Sequence, residues 1–123
     1  MRRGRIDYRM ARRALLRDVV SGLRSRVDVC DAHPDLVRAG RSIGVSGSGD
    51  CPICDEGELR QVTYGFFGKG QSRRGGRAIP RDAIANIAKR YGELGVYVVE
   101  VCPDCGWHHL LESYWVAQKQ RAS

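Results

Sequence analysis

The chain lacks any run approaching the ~18 consecutive apolar residues that a membrane-spanning helix requires, which argues against a helical membrane protein. The opening MRRGRIDYRMARR has arginines with no apolar stretch behind them, so no secretory leader is read there and a cytoplasmic location is expected. An even complement of cysteines is missing too. Five cannot all close into disulfides, and in a reducing compartment paired Cys-x-x-Cys motifs point to metal or redox chemistry. Catalytic signatures are also missing: there is no Ser–His–Asp pattern and no carboxylate pair beside a histidine pair. The expectation is a non-enzymatic protein with no small-molecule substrate.

Negative charge is in short supply. The 123 residues carry 21 Lys and Arg against 14 Asp and Glu, a formal net charge of +7. Residues 1–41 hold +6, residues 42–57 hold −3, residues 58–77 hold +4, and the remainder is neutral. Positive charge gathered into an arm and a central loop suggests a polyanionic partner such as RNA or DNA. The alternative is a solvated surface that only keeps the chain soluble. A hydrophobic content of 42% is enough for a modest core and too much for a disordered chain.

Residues 7–21 read as an amphipathic helix, capped by Asp7 and ended by Gly22. Tyr8, Ala11, Leu15 and Val19 form its apolar stripe, with Arg9, Arg13 and Arg17 opposite and Arg12 at the edge. Without Trp or Phe on the apolar side, a membrane-surface role is disfavoured. A break follows at residues 27–34, then a short helix that Pro34 starts and Gly40 ends. SIGVSGSGD at 42–50 reads as a flexible linker. Beyond the first cysteines come a strand from Leu59 to Phe67, a loop at 68–77, a helix at 80–91, a strand from Gly95 to Val101, and a last strand from His108 to Val116. The division is thus a basic helical arm (1–41), a linker (42–50), a cysteine module (51–117) and a tail (118–123).

The strongest signal is the repeated knuckle, Cys51-Pro52-Ile53-Cys54 and Cys102-Pro103-Asp104-Cys105. A Cys-x-x-Cys turn aims two sulfurs at one ion, and two such turns supply the four thiolates of a tetrahedral Zn²⁺ site. Gly106 frees the backbone where the second turn must close. The 47 residues between knuckles exceed the ~15–20 of common patterns. The expected fold is therefore α+β: an elaborated zinc ribbon, a small antiparallel sheet with two knuckles and an inserted helix, preceded by the basic arm. A redox dithiol or an iron–sulfur cluster is the alternative, without the βαβ context that redox use favours.

Cys30 and His33 form a Cys-x-x-His pair, read either as half of a second metal site or, preferably, as a buried thiol beside a helix-capping histidine. His108 and His109 follow the second knuckle, where four cysteines already fill a coordination sphere. On a strand they point to opposite faces. The stretch from Tyr64 to Arg77 mixes aromatics, glycines and cations. Arg73, Arg74, Arg77 and Lys69, with Arg12, Arg13 and Arg17, are the candidate phosphate contacts, and Tyr or Phe can stack on bases. The alternative is a plain hairpin tip. It is not a nucleotide-binding P-loop, because Gly70 follows Lys69 and Thr63 stands at the motif's first glycine.

Taken together, RRALLRDVVSGLRS, DVCDAHPDLVRAG, CPIC and VYVVEVCPDCGWHHLLESYW resemble a family of small, uncharacterised actinobacterial zinc-ribbon proteins. The resemblance spans most of the chain. It implies the fold and one structural zinc, not an activity, and it draws Cys30 into a recognisable segment. Zinc ribbons are common in ribosomal and RNA-polymerase-associated proteins, which is analogy of fold. The expected function is a binding module on RNA or a ribonucleoprotein such as the ribosome. The alternative is an adaptor docking on a transcription complex such as RNA polymerase, anchored by Trp107, Tyr114 and Trp115.

Overall fold

The β-branched run after Gly92 becomes the middle strand of the molecule. The computed structural model describes residues 2–66 and 76–117. In chain order its elements are β1 (Arg2–Asp7), α1 (Arg9–Ser21), α2 (Arg26–Val29), α3 (Pro34–Ile43), β2 (Arg60–Phe66), β3 (Arg77–Ile79), α4 (Ile84–Tyr91), β4 (Glu93–Val101) and β5 (His108–Ala117). Among the described residues the strands make one antiparallel sheet of five, in the order β1-β5-β4-β2-β3. The fold is a small α+β arrangement.

Alternation along β4 divides the core. Leu94, Val96 and Val98 face α4 and join Ile79, Leu111, Tyr114 and Val116 in one buried cluster, with Ile84 and Ile87 of the helix packed against it. Val29, Leu59, Trp107 and two cysteines form a second cluster at the knuckle end, covered by Leu15, Leu16 and Val19 of α1. Leu111 is the extra residue of a bulge, since Val98 pairs with Glu112 and Val99 with Leu110.

The basic arm expected over 1–41 opens on a strand, and the helix expected from residue 7 begins at Arg9. Arg2–Asp7 is a strand on the outer edge of β5, pairing Arg2 with Val116 and Asp7 with Glu112. Its RRGRID sequence has no apolar alternation, and all six residues are exposed, so only the free edge of β5 explains it. Asp7 is not the N-cap expected of it: that position falls to Tyr8, and the Asp7 carboxylate accepts from the Arg9 amide at 2.9 Å from the end of β1. Gly22 ends α1 as expected. Gly40 does not end α3, which continues to Ile43. It lies buried where a Cβ would come 2.8 Å from a Val101 methyl, so glycine lets the helix approach the sheet.

The Ser/Gly-rich stretch expected as a linker lies along β2. Val45 and Gln61 exchange both backbone hydrogen bonds at 2.9 Å, Gln61 Nε2 donates to Ser48 Oγ, and Leu59 N–H donates to the Gly49 carbonyl. Side chains cannot announce the Val45–Gln61 and Leu59–Gly49 pairings, because those are made by backbone.

Candidate metal centre

β2 and β4 run antiparallel with Arg60 opposite Val101, so the start of one strand lies beside the end of the other. The first knuckle precedes β2 and the second forms the turn from β4 to β5. The sheet register therefore brings together cysteines 48 residues apart. Each knuckle closes the same way: Asp55 N–H donates to the Cys51 carbonyl at 3.1 Å, and Gly106 N–H to the Cys102 carbonyl at 2.9 Å. The residue after the second cysteine is left-handed in both, with φ of 64° at Asp55 and 90° at Gly106. Glycine and aspartate tolerate that region better than most residues.

The Sγ atoms of Cys51, Cys54, Cys102 and Cys105 all lie within 4.8 Å of one another. Cys51 and Cys105 are 3.6 Å apart, Cys54 and Cys102 3.7 Å. A tetrahedron with metal–sulfur bonds of ~2.3 Å has an edge of about 3.8 Å, so the donor set fits one tetrahedral ion. Backbone amides point at the sulfurs: Ile53 to Cys51 at 3.4 Å, Gly57 to Cys54 at 3.3 Å, Trp107 to Cys105 at 3.4 Å. Such donors spread thiolate charge. At Gly57 a Cβ would fall 2.3 Å from the Cys102 sulfur, so no other residue fits without displacing a ligand.

Crowded, buried thiols resist ionisation. Burial pushes Cys51 up to about 11 and Cys105 up to about 12, and it raises Cys102 as well. Cys54 is the exception. The Glu56 amide beside it holds its thiol down to about 7. A cation is the natural means of holding all four as thiolates.

Around the cluster, Trp107 is fully buried, and its indole N–H donates to Glu100 Oε2 at 2.8 Å. Arg12 Nε donates to the same oxygen at 2.5 Å. Arg12 is thus turned inward onto a buried carboxylate. Arg13 and Arg17 are exposed on α1, and Arg77 is exposed on β3. Lys69, Arg73 and Arg74 lie outside the described residues.

His33 caps α3, its Nδ1 accepting from the Asp35 amide at 3.0 Å. His108 donates to Asp31 at 3.0 Å, and His109 stacks on Trp107 with ring centroids 6.0 Å apart. The Cys30 Sγ lies 3.5 Å from the Cys105 Sγ. Nothing in its Cys-x-x-His spacing points to that contact.

Of the three aromatics expected at the surface, Trp107 and Tyr114 are buried and Trp115 is 47% exposed. Trp115 shares a sheet face with Tyr97, 43% exposed, and with Phe66, whose ring meets Tyr97 edge-on at 5.0 Å. Gly95 lies between them in register, and a Cβ there would sit 3.3 Å from the indole. Two open grooves, of about 600 and 670 Å³, meet at Phe66 and Tyr97. No helix among the described residues is long and apolar enough to cross a membrane.

Comparison with known proteins adds kinship. The model of the DUF5318 family, a family of unknown function, matches residues 1–123. The uncharacterized protein Rv0049 of Mycobacterium tuberculosis is 39% identical over 109 residues, which cover 89% of this chain and 79% of that protein. The uncharacterized protein Mb0050 of Mycobacterium bovis matches to the same extent. No solved structure matches.

Proposed function

We propose a function for this chain, which belongs to the DUF5318 family: it is a non-enzymatic binding module for single-stranded RNA. One structural Zn²⁺ on Cys51, Cys54, Cys102 and Cys105 holds it as an elaborated zinc ribbon. Four thiolates close the coordination sphere and leave no position for a substrate, so the ion serves shape. It pins the start of β2 to the β4–β5 turn and so steadies the sheet on which the aromatics stand.

The observation that carries the RNA reading is an aromatic cluster on one sheet face: Tyr97 and Trp115 stand about half exposed, half-buried Phe66 lies beside them, and the Trp115 indole covers buried Gly95. Flat side chains on an antiparallel sheet stack unpaired bases, and a stacked base contributes ~1–3 kcal/mol. Arg3 stands on β1 opposite Trp115, and the basic segment with Lys69, Arg73 and Arg74 follows Phe66 in the chain. Arg13, Arg17 and Arg77 are further exposed cations on a chain of +7. In this reading they meet phosphates, on free RNA or on a ribonucleoprotein such as the ribosome, in the cytoplasm.

The test is binding of the full chain to fluorescent single-stranded RNA over a salt series. Affinity falling steeply with salt is expected. Trp115→Ala and Tyr97→Ala should each weaken binding by about ten- to a hundredfold, the equivalent of one lost stack. Absence of binding to RNA and DNA, or variants that bind like the parent, would sink the reading. A second reading, an adaptor on a transcription complex, draws on exposed Val20, Leu23 and Val27 beside the basic helix. A protein partner retained after nuclease treatment would favour it.

A further inference from the structure

The fifth thiol is built against the metal centre without belonging to it. The backbone of residues 30–32 is clamped to the second knuckle: Ala32 N–H donates to the Gly106 carbonyl at 3.0 Å. Glycine at 106 permits the clamp, since a Cβ there would come 2.8 Å from the Cys30 carbonyl oxygen. Asp31 fastens the same segment to His108, 3.0 Å away. Inside this clamp the Cys30 Sγ rests 3.5 Å from the Cys105 Sγ, and Cys30 is half-buried. Cys30 is not among the four cysteines whose sulfurs all lie within 4.8 Å of one another.

From this geometry we infer that Cys30 is an oxidation site that takes Cys105 out of the coordination sphere. The inference rests on the zinc reading above. The oxidant is a peroxide. Its O–O bond breaks as the Cys30 sulfur attacks, giving a Cys30 sulfenic acid and one water. The Cys105 thiolate then attacks the Cys30 sulfur, the S–S bond forms, and the hydroxide leaves as water after taking up a proton. Two sulfurs together lose two electrons, and one hydrogen peroxide becomes two waters. The sulfurs need approach only from contact to the ~2.05 Å of a disulfide, while the clamp holds both backbones. Three thiolates remain, and the ion is bound too weakly to stay. A thiol reductant reverses the exchange and restores the fourth ligand.

The experiment treats the zinc-loaded full chain with hydrogen peroxide. It follows metal release with a metallochromic dye and maps disulfides by peptide mass spectrometry. The parent should release zinc together with a Cys30–Cys105 crosslink, and dithiothreitol with added zinc should restore one ion per chain. Cys30→Ser should hold the same single ion and release it about tenfold more slowly. Equal release from Cys30→Ser, or crosslinks only within Cys51–Cys54 and Cys102–Cys105, would overturn the inference. So would Cys30→Ser failing to hold zinc, since Cys30 would then be a ligand. Parent protein that carries no metal before treatment would instead overturn the zinc reading, while the crosslink map would still judge the Cys30–Cys105 pairing.

Discussion

Arg12 and Arg13 are neighbours on one helix and do opposite work. Arg12 meets Glu100, whose side chain is 4% exposed, while Arg13 stands in solvent. Removing one partner of a buried ion pair strands the other charge and costs about 3–5 kcal/mol. Arg12→Ala should therefore lower unfolding stability by that order in a denaturant titration. Arg13→Ala and Arg17→Ala should stay within about 0.5 kcal/mol of the parent, yet each should weaken RNA binding and flatten its salt dependence by about one charge. A charge count treats the three arginines alike. What separates them is Glu100, and it lies 88 positions away along the chain.

Elements were legible where the residues that shape them are close in sequence. β4 is apolar and β-branched, α4 runs to Tyr91, and Gly92 closes it with a bond to the Ala88 carbonyl. β1 and the 45–50 segment were not legible, because each exists by pairing backbone with an edge supplied from elsewhere. α3 shows the same dependence. Helix propensity favours alanine over glycine by about 1 kcal/mol. At Gly40, however, a Cβ would meet fully buried Val101, and overpacking costs about 1–3 kcal/mol. Gly40→Ala should lower the melting temperature; a rise would mean that α3 does not pack so closely on β4.

At the scale of the molecule, one apolar cluster sits between sheet and α4 and the other surrounds the cysteines. An ion at the knuckles would tie α1, α2 and the sheet together through the second cluster. Chelation should lower the melting temperature and loosen that end first, which hydrogen exchange at Trp107 and the knuckle amides would register. The pH response should change sign with the metal. Burial raises Cys51 and Cys105 to about 11 and about 12. The folded, chelated chain thus binds more protons than the unfolded one above the ordinary thiol value of ~8.5, and it should lose stability as pH rises through that range. The loaded chain should lose stability as pH falls, since protons then compete with the ion for thiolates. Thermal melts of both forms from pH 5 to pH 10 would test the two slopes.

The knuckles could be read from the chain alone because a Cys-x-x-Cys turn is local: four residues hold both sulfurs and the bend that aims them. Their repetition marked the cysteine cluster, and the same local logic marked β4, α4 and the cap at His33. Tertiary structure alone decided what depends on meetings across long separations. It placed Cys30 against Cys105, turned Arg12 onto Glu100, buried Trp107 and left Trp115 open. The physical reason is that burial and pairing belong to the sheet's register and its coverings. Two tryptophans eight positions apart carry the same chemistry, and only the surfaces around them determine which one holds the core and which one stays half exposed.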